Sequence, residues 1–367
     1  MTATVGSHCP PRPPVANPLT DGQLPRLIDL WLLLGAAIIM GGALMLVGFN
    51  LAVWAVLTAV LYVIAVGVSS ALVENRRKAA DRIVRALVTI AFLLAVTPLI
   101  STLWTVFIKG IGQMNWTFIS QTGVAKFDPV TLAVTTTPGA LQAIVGTLEI
   151  TGIATLISVP IGILAAIYLV EYSLPTSALR RTVTFLVDVM TGIPSIVAGL
   201  FAFSLFTLIV GPKAFSGLSA SVALSVLMIP IVVRASEEML RLVPNELREA
   251  AYALGVTKSL TIVKIVLRTA ISGLVTGVVL AVARVVGETA PIFIAASFTN
   301  NFNGDPFNGA MSTLAVLSYT GYKFPGKDIV ASNQEAWGAA LLLVILVIIF
   351  NITARVVAGI FAPKTRR

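Results

Sequence analysis

The chain has 367 residues, of which 57% are apolar and only 11% are charged. An ordinary soluble domain is about 45–50% apolar and about 25% charged, so this composition excludes a soluble protein and indicates a polytopic membrane protein. The net charge of +9 is typical of basic cytoplasmic loops. The single cysteine, Cys9, and the single histidine, His8, precede the first apolar segment, which excludes an internal disulfide and argues against metal sites or histidine catalysis in the membrane.

The amino-terminal 26 residues are polar and contain six prolines, without the apolar core of a signal peptide. This composition predicts a disordered cytoplasmic tail at 1–26. The next long segment, 30–73, contains no charged side chain. As one helix it would be about 66 Å long, roughly twice the hydrocarbon core. We therefore expect a turn at Gly48-Phe49-Asn50 and two spans, 30–48 and 51–73.

Six more apolar segments follow, and the basic residues between them set the orientation. With the amino terminus inside, nineteen lysines and arginines fall on inner segments and five on outer ones. This asymmetry predicts eight spans with both termini in the cytoplasm. Polar stretches at 110–137 and 297–334 lie outside. The six further predicted spans are 83–105, 141–170, 185–210, 217–234, 269–292 and 336–358.

The loop between the sixth and seventh spans is too polar to cross a membrane but is patterned as two helices. Pro244 suits the first turn of a helix, and Gly255 suits a left-handed C′ position after it. Thr257 is suited to cap a second helix, from Lys258 to about Leu267. On these grounds alone the segment is typical of an amphipathic helix at the membrane interface. The apolar stripe of the first helix consists of Leu240, Val243, Leu247, Ala251 and Leu254.

Glu249-Ala250-Ala251 followed by Gly255 is similar to the EAA loop of ABC importer permeases, here at about 236–267. In that family the loop implies a coupling helix that docks on a cytoplasmic ATPase through these residues. Arg268 stands where many members have proline, a departure that leaves the loop intact. Further segments resemble the PstA-type permeases of phosphate-specific importers over roughly 280 residues from Arg76. These segments are Pro160–Gly162, Ile167–Tyr172, Gly192–Leu200 and Gly287–Pro291.

The resemblance implies an all-α polytopic membrane protein, an ABC importer permease-type helical bundle with six core spans and an N-terminal two-span extension. We expect a tail at 1–26, a transmembrane hairpin at 27–75 and a permease domain at 76–367. The implied partners are a PstC-type second permease subunit, two copies of a cytoplasmic ATPase subunit and an extracytoplasmic phosphate-binding protein. The expected location is the plasma membrane of a prokaryote, among lipids and without nucleic acid.

The predicted function is ATP-driven import of inorganic phosphate by a subunit that is not itself an enzyme. Residues 255–259 lack the glycine that a Walker A loop has before its lysine. We therefore expect no cofactor in this chain, with ATP and Mg²⁺ held by the partner ATPase. Two alternatives are an ABC permease for molybdate or sulfate, which the Gly287–Pro291 motif disfavours, and a channel or secondary transporter without ATP. An intramembrane enzyme would need a cluster of titratable groups.

A charged residue within a span is costly and needs a reason. Arg284 and Glu288 are four residues apart in the predicted seventh span, so they would share one helix face. Arg284 would lie about 22 Å along that helix, in the outer half of the membrane, and its planar guanidinium suits phosphate oxygens. In one interpretation Arg284 lines the translocation path and Glu288 limits or orients its charge. In the other, the two side chains form a structural pair between helices.

Two more ionisable residues are candidates for the path. Glu149 lies about three turns into the fourth span and either faces Arg284 or binds a hydroxyl such as that of Thr147 or Thr151. Arg234 lies near the inner end of the sixth span. It either lines the inner mouth of the path or extends to the membrane surface.

Two glycine motifs predict features of the helices themselves. Gly192 and Pro194 interrupt the fifth span, and we interpret them as a hinge. Gly273 and Gly277, continued by Ala281, form a small-residue face on the seventh span, which favours close helix–helix contact.

Overall fold

The computed structural model describes residues 24–25, 27–128, 133–212 and 215–361. Nearly all of the predicted tail at 1–26 lies outside these ranges. The chain divides into two compact units, Met1–Leu103 and Trp104–Arg367, with the boundary inside the third helix.

The first unit contains α1 (Ile28–Val47), α2 (Leu51–Val73) and most of α3 (Arg76–Ile111). The predicted turn between the first two spans is confirmed. Gly48 has a φ of +124°, which glycine adopts without steric cost. The Asn50 side chain then caps α2, because its Oδ1 accepts hydrogen bonds from the N–H groups of Ala52 at 3.0 Å and Val53 at 3.4 Å.

An ion cluster joins α1, the α2–α3 turn and α3. Arg82 donates to both carboxylate oxygens of Glu74, at 2.9 and 3.0 Å, and to Asp29 of α1 at 2.9 Å. The Ser70 hydroxyl and the Leu24 N–H complete the environment of the nearly buried Glu74 carboxylate. The hydrogen bonds from Arg82 and Ser70 lower the pKa of Glu74 from 4.5 to about 2.

The second unit contains long helices and one antiparallel β-hairpin. The hairpin, β1 (Thr122–Asp128) and β2 (Ala133–Ala140), pairs Thr122 with Ala140 and lies where the sequence analysis expected only a polar stretch. Its short threonine- and valine-containing strands favour β-structure, but they are too short to give a strong periodic signal. The α-helices of this unit are α4 (Trp116–Ser120), α5 (Leu141–Ile167), α6 (Ala178–Thr191), α7 (Ser195–Val210), α8 (Gly217–Arg241), α9 (Asn245–Ala253), α10 (Lys258–Thr261), α11 (Leu267–Val286), α12 (Ala290–Ala296), α13 (Leu314–Lys323) and α14 (Ile329–Phe361). A π-helical turn follows α5 at Tyr168–Tyr172, and a second one, Ile262–Val266, joins α10 to α11.

The core of the second unit is the contact between α5 and α8. Its residues are mostly small, and two buried serines of α8 bind carbonyls of α5. The Ser221 hydroxyl donates to the Ile150 carbonyl at 3.1 Å, and the Ser225 hydroxyl lies 3.5 Å from the Ala154 carbonyl. Such small residues let two helices approach closely where lipid provides no hydrophobic driving force.

The predicted contact face on the seventh span is confirmed. Gly273 lies against Met239 of α8, and a Cβ on Gly277 would come within 2.7 Å of the Ala235 Cβ. Ala281 continues this face and is fully buried. Because a side chain at Gly277 would collide with Ala235, and Gly273 already contacts the Met239 side chain, α11 and α8 are in van der Waals contact along this line.

Seven described helices are long and apolar enough to cross a membrane, and the number is eight if the bent pair α6–α7 counts as one span. The fifth predicted span, 185–210, is broken between α6 and α7, which meet at an angle of 107°. The prediction of a seventh span continuing to residue 292 is wrong, since α11 ends at Val286. The division into six core spans and two additional ones stays a prediction.

The Glu74 environment predicts a pH-dependent stability. A carboxylate whose pKa falls from 4.5 to about 2 on folding stabilises the fold above pH 4.5, and this contribution is lost as the pH falls from about 4.5 to about 2. Glu74→Gln should therefore lower the thermal midpoint of the detergent-solubilised chain at pH 7, and its difference from the unsubstituted chain should shrink below pH 4.5. Circular dichroism melts between pH 7 and pH 3 measure this difference.

The control is Glu238→Gln, which alters an exposed glutamate of α8. Its melting curve should follow that of the unsubstituted chain at each pH. A Glu74→Gln difference that stays constant with pH would contradict the assignment.

Candidate functional site

The loop after α8 forms a helix, a glycine corner and a second helix, which confirms the predicted local structure. Gly255 has a φ of +75°. The N–H of Gly255 donates to the Tyr252 carbonyl at 2.9 Å, and the N–H of Val256 donates to the Ala251 carbonyl at 3.1 Å. This pair of bonds is the Schellman motif that closes a helix with a left-handed residue. We call residues 242–261 the coupling loop.

Two details of this loop differ from the expectation. Pro244 is the residue before α9 rather than a member of its first turn. Thr257 precedes α10 with an extended backbone, but its hydroxyl binds no N–H of that helix and lies 3.5 Å from the Ser259 hydroxyl. The backbone therefore has the predicted path, and the predicted side-chain cap is absent.

The predicted apolar stripe of this region is only partly buried. Leu240, Val243 and Ala251 lie in the interior, whereas Leu247 is 41% exposed and Leu254 is 83% exposed. The reason is that α9 contacts the rest of the unit along the narrow edge that holds Ala251. Its broad outer face includes Glu249 and Ala250 and is available for contact.

Arg248 is the residue of this loop that sequence reasoning missed. Its guanidinium donates to Glu171 Oε1 at 2.7 and 3.1 Å, to the Leu240 carbonyl at 3.1 Å and to the Val243 carbonyl at 2.7 Å. The side chains of Arg248 and Glu171 are 13% and 5% exposed. Because 77 residues separate the pair, no local pattern could indicate it.

Arg284 occupies the last turn of α11, where the carbonyl end of the helix favours a cation. The side chain is exposed on the helix bundle, and it forms no ion pair with any residue that the structure describes. The predicted pairing with Glu288 is therefore not observed. An unpaired guanidinium at this point has its donors free for an anion.

Glu288 does not continue the helix of Arg284, so the predicted common helix face is wrong. Gly287 ends α11, and α12 begins at Ala290. In a continuous helix the ring of Pro291 would clash with the Gly287 carbonyl, which accounts for the break. Glu288 lies in the connecting turn, where its N–H donates to the Val285 carbonyl at 3.1 Å.

The short α12 returns into the core instead of extending the seventh span. Pro291, Ile292 and Ala295 are buried. A Cβ on Gly199 of α7 would come within 2.7 Å of the Pro291 Cα. The turn that carries Glu288 is thus held on one side by the contact of α12 with α7.

Glu149 binds neither of the partners considered for it. Its Oε2 atom is buried and has no hydrogen-bond partner among the described atoms, and no ion pair joins it to Arg284 there. The Thr147 hydroxyl instead donates to the Ala143 carbonyl at 2.6 Å and accepts from the Leu314 N–H at 2.9 Å. Whether Glu149 lines a path stays a prediction.

Arg234 pairs with carboxylates of two helices. It contacts Asp188 of α6, and its Nη1 donates to Glu237 at 2.9 Å. These contacts join α6 to the carboxy-terminal part of α8. They give Arg234 a structural role, and its proposed place at the inner mouth of the path stays a prediction.

Gly192 and Pro194 lie at the corner between α6 and α7. The Gly192 N–H donates to the Val189 carbonyl at 3.0 Å and ends α6, and Pro194 precedes the first residue of α7. The break in the fifth span therefore falls at the predicted residues. Movement about this corner stays a prediction.

The chain is similar to one protein family, to several curated proteins and to solved structures. Residues 158–367 match the family described as the binding-protein-dependent transport system inner membrane component. The chain is 42% identical over 295 residues to the phosphate transport system permease protein PstA 1 of Mycobacterium tuberculosis, which covers 80% of this chain and 91% of that protein. It is 37% identical over 300 residues to PstA of Yersinia pestis, covering 80% and 96%. An inward-facing structure of the MetNI methionine ABC transporter is 24% identical, with a TM-score of 0.48, and covers 61% of this chain and 95% of that one.

The contact of α7 with α12 predicts a steric requirement at Gly199. Gly199→Val should destabilise the chain by about 1–3 kcal/mol, since the added side chain collides with the backbone of Pro291. Thermal unfolding in detergent, followed by tryptophan fluorescence, measures this loss. Gly152→Val in α5 is the matched control, because a Cβ there meets no atom within 4 Å. Equal losses in the two variants would contradict the steric explanation.

Proposed function

Since this chain belongs to the binding-protein-dependent transport system inner membrane components, and among them to the PstA-type permeases, we propose that it carries inorganic phosphate into the cytoplasm as one permease subunit of an ATP-driven importer. The chain is a multi-pass membrane protein and a transport component. We place it in the plasma membrane of a prokaryote with both termini in the cytoplasm. The excess of basic residues on the inner segments supports this orientation.

The observation that carries the proposal is the exposed guanidinium of Arg284 at the end of an apolar helix. A cation that faces lipid costs at least a few kcal/mol, so an arginine here requires water, an anion or another polar surface. A planar guanidinium offers paired donors to the oxygens of a tetrahedral oxyanion. We propose that Arg284 lines the translocation path and contacts phosphate.

The neighbouring groups favour transient binding. Glu288 lies in the turn after α11 and not on the helix that carries Arg284. From that turn its carboxylate limits the net positive charge without pairing with the guanidinium. Conduction requires binding that is weak enough for release, and one cation beside one carboxylate meets that requirement better than a cationic cluster. In this proposal Glu149 and Arg234 line the outer and inner parts of the same path.

We propose that the coupling loop transmits ATP binding and hydrolysis from a partner. The exposed face of α9, which includes Glu249 and Ala250, docks on a cytoplasmic ATPase, while Ala251 and the Gly255 corner hold α9 in place. ATP and Mg²⁺ are held by that partner. A loop that bound equally well in both states of the ATPase would move nothing, so its contacts must differ between the two states.

The proposed assembly has this chain beside a PstC-type permease, above two ATPase subunits, and receives phosphate from an extracytoplasmic binding protein. The corner at Gly192 and Pro194 acts as a hinge between its two states. The proposed division of the chain assigns 27–75 to a transmembrane extension and 76–367 to the permease domain.

Arg284 gives the sharpest test of the substrate. Arg284→Ala should reduce phosphate uptake by at least about tenfold, because the charge-assisted hydrogen bonds from the guanidinium to the anion are lost. Arg284→Lys should recover only part of the uptake, since an ammonium group keeps the charge without the planar fork. Uptake of labelled phosphate, sulfate and molybdate by cells that carry each variant, at matched membrane levels, measures the effect.

The control is Arg355→Ala, which removes an exposed arginine of α14 and should leave uptake unchanged. Normal phosphate uptake by Arg284→Ala would overturn the proposed role of Arg284. If only sulfate or molybdate uptake is lost, the chain is still an importer subunit, but phosphate is not its substrate.

Gly255 tests the coupling loop. Gly255→Val should uncouple ATP hydrolysis from uptake while the complex stays assembled, because a β-branched residue is strained at a φ of +75° although a Cβ there has open space. Gly255→Asn is the matched variant, since asparagine tolerates the left-handed region. Phosphate transported per ATP and co-purification of the ATPase are the measurements. Full coupling in the valine variant would contradict the proposal.

A further inference from the structure

The inner end of α5 has an unusual geometry. After Ile167 the helix continues as a π-helical turn, Tyr168–Tyr172, which the Ser173 N–H closes by donating to the Tyr168 carbonyl at 2.9 Å. A π turn inserts an extra residue, re-aims the side chains that follow it, and is frequent at functional sites. Glu171 and Tyr172, the last two residues of this turn, both contact the coupling loop.

The first contact is the buried pair of Arg248 and Glu171. The guanidinium uses Nε and Nη2 for one carboxylate oxygen, and Nη1 and Nη2 for the Val243 and Leu240 carbonyls. Nη1 also lies 3.2 Å from Asn245 Oδ1 and 3.4 Å from the Pro244 carbonyl. A single planar group thereby connects the end of α8, the start of α9 and the end of α5.

The second contact comes from the other side of the glycine corner. The ammonium group of Lys258 lies 5.0 Å from the centre of the Tyr172 ring, within the range of a cation–π interaction. Residues on both sides of Gly255 therefore bind the same turn. Since one contact comes from α9 itself and the other from the residue that begins α10, together they limit the rotation of α9 as well as its displacement.

Arg248 is unsuited to contact an ATPase directly. Its side chain is only 13% exposed, and its donors point to acceptors of its own chain. Glu246 and Glu249, on the same helix, are exposed and carry charge outward. Arg248 thus forms contacts in the interior of the loop, whereas these two glutamates are exposed on its outer face.

We propose that Arg248 is a positioning residue that clamps the coupling loop to the π turn of α5, so that a displacement of α9 moves α5 and α8 together. This inference rests on the proposed function of the loop. Without the clamp, α9 would move about the end of α8 alone. With it, the displacement enters a helix about 40 Å long that packs along α8 and carries Glu149.

The clamp has a test that needs no transport. In the full chain with Cys9→Ser, spin labels at Ala253→Cys on α9 and Leu164→Cys on α5 report the distance between the two helices in lipid nanodiscs. Both positions are exposed. The distance distribution should be narrow with Arg248 and at least about twice as broad in Arg248→Gln, because the rigid contact is lost.

Arg181→Gln is the matched control. Arg181 is an exposed arginine on α6, and its contact to the Thr176 carbonyl measures 3.5 Å. Its distance distribution should equal that of the parent chain. A narrow distribution in Arg248→Gln would overturn the clamp.

The double variant Arg248→Gln/Glu171→Gln separates the clamp from the effect of a buried, unpaired carboxylate. If the clamp is correct, the double variant keeps a broad distribution, since two amides cannot replace the guanidinium network. If the double variant restores a narrow distribution, the defect of the single variant came from the unpaired charge, and the clamp is wrong.

The second readout is coupling in the assembled importer. The Arg248→Gln variant should still hydrolyse ATP. It should transport about two- to thirtyfold less phosphate per ATP, the usual range for a residue that modulates coupling. A change in hydrolysis and uptake by the same factor would contradict a positioning role. If the parent complex does not accumulate phosphate with ATP, the proposed function is wrong. The distance measurement still tests the clamp in that case.

Discussion

The contact between α5 and α8 is the constraint on which the other features of the second unit depend. In a membrane two helices gain little from apolar burial alone, so they need small residues and hydroxyl-to-carbonyl hydrogen bonds to approach closely. Ser221 and Ser225 provide those bonds. The coupling loop follows directly from α8, the π turn follows from α5, and α11 packs on α8 through Gly277. The coupling loop, the π turn and α11 are therefore all positioned relative to this one pair of helices.

Four arginines of the described helices show two kinds of environment. Arg82, Arg234 and Arg248 bind carboxylates and hold helices or turns together. Removing one partner of a buried pair leaves an uncompensated charge, which costs far more than the pair contributes. Arg284 is different, because it is exposed and pairs with no carboxylate of the described residues. Because Arg284 also lies in the last turn of an apolar helix, where a charge is costly, its guanidinium is the natural candidate to bind a mobile ligand.

Sequence reasoning succeeded where the physical cause is local. The Gly255 corner is a backbone requirement of one residue, and the break at Gly192 and Pro194 follows from two residues that interrupt a helix. It failed where the cause is distant, as for the pair of Arg248 and Glu171. The end of α11 lies between these cases. Pro291 stands four residues after Gly287, so the clash that ends the helix could have been read from the sequence, but the apolar residues around it suggested continuity.

The glycine contacts between α11 and α8 have a mechanical consequence. Because Gly273 lies against Met239 and Gly277 against Ala235, α11 and α8 are in close contact, and in the proposed importer they would tilt as one lever, with the coupling loop at one end and Arg284 at the other. From Leu267 to Arg284 the lever arm is about 25 Å. A tilt of about 5° then displaces the guanidinium by about 2 Å, and hydrogen bonds to a bound anion are lost over about 0.5 Å. In the proposed importer, a small rotation at the end that holds the coupling loop would thus be sufficient to release an anion from Arg284.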